Sequence, residues 1–120
     1  MTLKRFLFIN RKGPHGSGHP AELLDAALIA ASFEQQVHLA FLDDGVFLLT
    51  RGQRPDLIGH KDFTATFGEL TDYDIDHVWV ERESLSARGL NENDLMIPVT
   101  LVERTALAAL MADMDVVISA

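Results

Sequence analysis

Five short apolar segments recur along the chain, with helical or turn-forming stretches between them. They are Leu3–Asn10, Val37–Leu42, Val78–Val80, Met96–Val102 and Val116–Ile118. Each is too short for a buried helix, and the β-branched and aromatic content suits strands. Between the first two, Pro20 opens a helix, since its missing N–H would be unpaired in the first turn anyway. Phe63, Phe67 and Leu70 mark one face of a second helix, about residues 59–70. Val46–Leu49 reads as a helical turn and Ser84–Arg88 as a short helix capped by Ser84 and Gly89, and Arg104–Ala112 is an Ala/Leu-rich helix. Strand–helix alternation of this kind predicts an α/β fold: a five-stranded, mostly parallel sheet with helices on both faces.

With 120 residues, the chain suits a single domain, 1–120, large enough to build a core without staples. Ten Lys and Arg against eighteen Asp and Glu leave a net charge of −8. A chain so acidic repels polyanions at long range, which argues against direct nucleic-acid contact. The only basic cluster, Lys4, Arg5, Arg11 and Lys12, flanks the first apolar segment. No apolar run approaches a membrane span, and Leu3–Asn10 is too short for a signal peptide, so a cytoplasmic location is expected. The chain contains no Cys. It can therefore form no disulfide, supply no thiolate ligand and carry no sulfur nucleophile or persulfide of its own.

The first helix is unusual. Nine of the eleven residues from Leu23 to Phe33 are apolar. Asp25 and Ser32 fall on one narrow stripe, and the rest of the circumference is apolar. A helix of that kind is expected to be buried on most sides, and a partner subunit is one economical cover.

Ligands of parallel sheets sit beyond the carboxyl ends of the strands. Three loops qualify: Asn10–His19, Asp43–Gly45 and Glu81–Ser84. Gly13, His15, Gly16, Ser17 and Gly18 form a loop before a helix that could cradle an anion, although no Lys-Ser/Thr pair or dinucleotide fingerprint follows. The alternative is a plain crossover turn. His15 and His19 lack a nearby carboxylate for a metal site, and Ser17 lacks the setting of a hydrolase nucleophile. Asp43 and Asp44 could hold Mg²⁺, but capping of the turn at Gly45 is the favoured reading. Phe63, Phe67, Tyr73 and Trp79 read as core or interface residues, His77 as a polar strand end, and Glu81, Arg82 and Glu83 as a solvated loop. No metal and no cofactor is called for.

Several stretches together resemble the DsrF/TusC family. They are Asn10-Arg11-Lys12-Gly13-Pro14-His15-Gly16, Leu42-Asp43-Asp44-Gly45-Val46-Phe47, Leu49-Thr50-Arg51-Gly52-Gln53, Asp62-Phe63 with Thr66-Phe67, Tyr73-Asp74-Ile75, Ser84-Leu85, and Arg88-Gly89-Leu90. The resemblance implies a DsrE-like three-layer α/β/α fold. It also implies a non-catalytic subunit of a sulfur-relay complex, a heterohexamer with DsrE/TusD-like and DsrH/TusB-like partners. In the tRNA branch such a complex passes persulfide sulfur from a TusA-like donor to a TusE-like acceptor, for 2-thiouridine at the wobble position. In the sulfur-oxidising branch its counterpart exchanges sulfur with a DsrC-like protein. The thiol belongs chiefly to the DsrE/TusD-like subunit, in keeping with a chain that lacks Cys. The partner interface implied here comprises Leu24, Leu28 and Ala31 of the first helix together with Asp43, Asp44, Gly45, Val46 and Phe47. Leu28→Arg is expected to break assembly.

The compact passage from Met96–Val102 into Arg104–Ala112 favours the tRNA branch. Asn10-Arg11-Lys12 and Leu49–Gln53 read closer to the oxidising wording. A stand-alone, homo-oligomeric binder of a small anion, using Gly13–Gly18 with Asp43 and Asp44, is the alternative from a different class.

Overall fold

A computed structural model describes residues 3–13, 19–50 and 70–119. Five strands form one parallel sheet: β1 (Arg5–Asn10), β2 (Gln36–Phe41), β3 (His77–Glu81), β4 (Thr100–Val102) and β5 (Val116–Ser119), in the order β4-β3-β2-β1-β5. Among the described residues the helices are α1 (His19–Ser32), α2 (Arg82–Ala87) and α3 (Arg104–Ala112), with 3₁₀ turns at Asp43–Leu49, Leu70–Tyr73 and Glu92–Asp94. The expected α/β class, strand number and parallel pairing are all present.

The central strands are apolar on both sides because both faces are covered, as parallel sheets require. One face joins Phe8, Leu39, Phe41 and Val80 to Leu23, Leu24 and Ala27 of α1, to Val46, Leu48 and Leu49 of the 3₁₀ turn, and to Leu85 of α2. The other is thinner: Leu7, Ile9 and Ala40 meet Leu107 of α3, with Leu42, Trp79, Val102, Leu110 and Met114 packed around them. The three-layer expectation therefore holds, with unequal layers.

β1 lies between β2 and β5, which brings together segments about 110 residues apart in sequence. Asp115 accepts the Arg5 backbone N–H at 2.7 Å and returns its own N–H to the Arg5 carbonyl at 3.0 Å. The Arg5 guanidinium adds an ion pair to Asp113 at 2.7 Å.

Two expectations need correction, and a third lies outside what the structure describes. The fourth strand is only Thr100–Val102: just before it, Leu95 bridges Thr50 and Met96 donates its N–H to the Leu49 carbonyl at 2.8 Å, and Pro98 has no N–H for a ladder. The short helix begins at Arg82, and Ser84 lies inside it, buried, rather than capping it. The helix expected over 59–70 falls almost wholly outside the described residues; only Leu70, which opens a 3₁₀ turn, is described.

Candidate functional site

The carboxyl ends of β1, β2 and β3 converge, and the residues they bring together form one polar network. β2 ends at Phe41, and the chain turns through Asp43, whose φ of +52° is tolerable for an Asp. The next turn passes so close to the end of β1 that a Cβ on Gly45 would lie 1.8 Å from the Asn10 carbonyl oxygen. Only glycine fits there. Leu42 N–H donates to that same carbonyl at 3.1 Å, so the end of β1 and the turn after β2 form one rigid corner.

Glu81 is the hub. It ends β3, is 3% exposed, and is the residue that most needs partners. Ser84 donates its hydroxyl to Glu81 Oε1 at 2.6 Å, and Arg104, from the first turn of α3, donates from Nη2 and Nε at 3.1 and 3.2 Å. Ser84 Oγ in turn accepts the Asp43 N–H at 2.8 Å. One serine thus ties the end of β3 to the turn after β2. Its hydroxyl is engaged as donor and acceptor and is no free nucleophile.

The two aspartates face outward from this hub. Arg11 donates from Nε and Nη2 to Asp43 Oδ2, both at 2.9 Å, and Arg88 holds Asp44 Oδ1 at 3.0 Å. Neither carboxylate caps the 3₁₀ turn, whose N-cap is Leu42 without a side-chain bond. The capping expectation is corrected: each aspartate is held by a guanidinium instead. Among the described residues no three His, Asp or Glu side chains cluster as metal ligands.

Arg104 also donates its backbone N–H to both Glu83 carboxylate oxygens at 3.0 Å. That bond holds the Glu83 carboxyl below its usual range, and the bond to Glu81 raises the Arg104 guanidinium further. The solvated-loop reading of Glu81–Glu83 is therefore corrected for Glu81, while Arg82 and Glu83 are exposed. A cleft of about 400 Å³ opens beside the network, with Leu42, Leu107 and Met111 on its apolar side and the Arg11–Asp43 and Arg104–Glu81 pairs on the other.

Of the residues expected at a partner interface, Leu24 (3% exposed) and Val46 (0%) are buried in this subunit's own core, and Gly45 is buried in the corner against Asn10. Leu28, Ala31 and Phe47 are half-buried, and Asp44 is exposed. The exposed side of α1 carries Glu22, Asp25, Ile29 and Ser32, with Ile29 59% exposed and Phe33, just beyond the helix, 69%. Of the anion loop, Gly13 lies against Asp44; His15, Gly16, Ser17 and Gly18 lie outside the described residues. Asp62, Phe63, Thr66 and Phe67 do as well.

Sequence reasoning missed Arg11, Glu81, Ser84 and Arg104 as one constellation. The available signal was a carboxylate closing an apolar strand, followed three residues on by a serine.

Comparison with known proteins follows the same lines. Residues 4–120 match the DsrE/DsrF-like family. The intracellular sulfur oxidation protein DsrF of Allochromatium vinosum is 47% identical over 95 residues, which are 79% of this chain and 70% of that protein. The crystal structure of the E. coli YchN protein superposes with a TM-score of 0.84 at 20% identity, covering 98% of this chain and 100% of that one. A protein of unknown function from Methanobacterium thermoautotrophicum gives a TM-score of 0.67 at 16% identity, covering 98% and 99%. These two likenesses concern the fold.

Proposed function

The chain belongs to the DsrE/DsrF-like family, and we propose that within it the chain serves as a non-catalytic subunit of a sulfur-relay complex. The observation that carries this reading is the absence of any Cys. Persulfide sulfur rides on a cysteine, so in this reading it rides on a partner, and this chain holds that partner in place. The partners are a DsrE/TusD-like subunit bearing the thiol and a DsrH/TusB-like subunit, together a heterohexamer.

Contact is assigned to the outer side of α1, where Ile29 and Phe33 stand in water in the lone subunit. Large apolar side chains in that position favour a protein partner. Leu28 is a poor probe of the contact, since it also packs on the subunit's own core. Ile29→Arg with Phe33→Asp is the better one, because neither change disturbs the core. Co-expression with the flanking reading frames, followed by intact-mass measurement, tests the proposal. The wild-type chain is expected in a mixed assembly with a Cys-bearing homologue, and the double variant outside it. A lone chain in both cases refutes the reading.

For the destination of the sulfur, the compact passage from β4 to α3, a single residue, Glu103, favours the tRNA-thiolation branch. A second reading, sulfur oxidation, is supported by the 47% identity to a protein named for that process. Deletion separates them. Loss of wobble 2-thiouridine with sulfur oxidation intact supports the first, and the converse supports the second. A stand-alone anion binder is less favoured, since Asp43 and Asp44 already hold Arg11 and Arg88.

A further inference from the structure

The thinner face of the sheet carries a buried titratable group that the carboxyl-edge network does not use. His38, in the middle of β2, is 5% exposed. His77 of β3 stacks on it with ring centroids 4.2 Å apart and planes within 10°. Trp79, two residues along β3, donates its indole N–H to His38 Nδ1 at 3.1 Å.

An indole nitrogen can only donate, so His38 Nδ1 must be unprotonated. Neutral His38 then carries its hydrogen on Nε2. That atom is buried and has no hydrogen-bond partner. The ring is thus held by one polar contact only, and that contact depends on its protonation state.

The surroundings oppose a cation. Among the described residues, His77 on β3 and Arg5 on β1 are the charged or titratable groups that act on His38, and both disfavour a positive charge on it. Arg5 is itself held by Asp113 and Asp115, between α3 and β5. What α3 and the turn after it pack on this face is Leu107, Leu110 and Met114, none of which titrates.

We infer that the His38–Trp79 pair is a proton-operated latch between β2 and β3, closed while His38 is neutral and released by a single proton on Nδ1. That proton places two donors face to face at a bonding distance, so the contact breaks and a ring must turn. Burial first, then His77 and Arg5, push the His38 pKa down to about 4. The latch therefore stays closed near neutral pH and opens only in acid.

The chain's single Trp is Trp79 itself, so release is directly visible. The experiment uses the full chain, with any subunits that co-purify. It combines histidine ¹⁵N NMR, tryptophan emission and far-UV circular dichroism across pH 7.5 to 3.5 (~range of the two protonation states). The expected result is an Nε2–H tautomer at neutral pH, a His38 midpoint near 4, and an emission change at that same midpoint while the far-UV signal persists. Trp79→Phe removes a bond that favours the neutral ring, so it should raise the midpoint by roughly half a unit to one unit. An Nδ1–H tautomer, a midpoint near the ordinary 6.5, a midpoint unmoved by Trp79→Phe, or loss of the fold before His38 titrates would each overturn the latch.

Discussion

Ser84 donates to the buried carboxylate of Glu81 at 2.6 Å while accepting the backbone N–H of Asp43 at 2.8 Å. Two strand ends that never pair directly at that point are joined through this one hydroxyl. Ser84→Ala leaves a buried carboxylate short of one donor and a backbone N–H without its acceptor. The expected loss is about 1–3 kcal/mol, read as a lower urea midpoint with an unchanged slope. A midpoint equal to wild type would show that water replaces the hydroxyl at no cost.

Arg104 is the other partner of Glu81. Its side chain is largely exposed while the carboxylate is not, so solvent screens the pair from one side only. Arg104→Met keeps much of the apolar stem and removes the charge. A lower denaturation midpoint than wild type is expected, with a smaller drop than the loss of a fully buried pair would give. The double change with Glu81→Gln should recover part of it, because no uncompensated charge then remains. A double-mutant cycle in chemical denaturation measures that recovery, and strict additivity would argue against coupling.

Gly45→Ala is expected to be the most damaging glycine substitution among the described residues. Its Cβ would fall 1.8 Å from the Asn10 carbonyl oxygen, a backbone atom that cannot swing away. The corner between β1 and the turn after β2 would have to open. We expect a loss of about 3 kcal/mol or more, or insoluble protein. Gly89→Ala offers a contrast: nothing lies within 4 Å of that Cβ, and only the positive φ of +69° opposes it. About 1 kcal/mol is expected there. Thermal melts of the two variants should differ clearly.

His38 makes stability depend on pH. Its pKa is about 4 in the folded chain and near 6.5 when unfolded, so as pH falls the unfolded chain takes the proton first. Stability is retained above 6.5 and lost progressively between 6.5 and about 4. At pH ~5 the fold should be about 2 kcal/mol less stable than at pH ~7 from this residue alone. His38→Leu should lack that component of the slope, while the carboxylate contributions remain. Identical slopes in the two proteins would contradict the assignment.

The strands were readable because their chemistry is repetitive. Phe6, Leu7, Phe8 and Ile9 alternate between two covered faces, and both coverings are apolar. The convergence of Asn10, Asp43 and Glu81 at one edge was equally accessible, since parallel topology alone implies it. What sequence reasoning could not reach was pairing across long gaps. Nothing local tells that Arg11 belongs with Asp43, or Arg104 with Glu81. Ser84 was misread because a serine near a helix start usually caps it. Here the helix begins two residues sooner, and the hydroxyl faces inward. His38 gave no signal at all, because a lone histidine in an apolar strand acquires its character from a neighbouring strand.

The bonds between Arg5 and Asp115 span 110 residues of chain. A ribosome delivers β1 long before β5, so until β5 emerges one flank of β1 lacks its partner strand. Closure of that flank waits for β5 to emerge. Newly made chains thus pass through an interval in which an apolar strand is unpaired on one side, and any chaperone or waiting subunit would find its opening then.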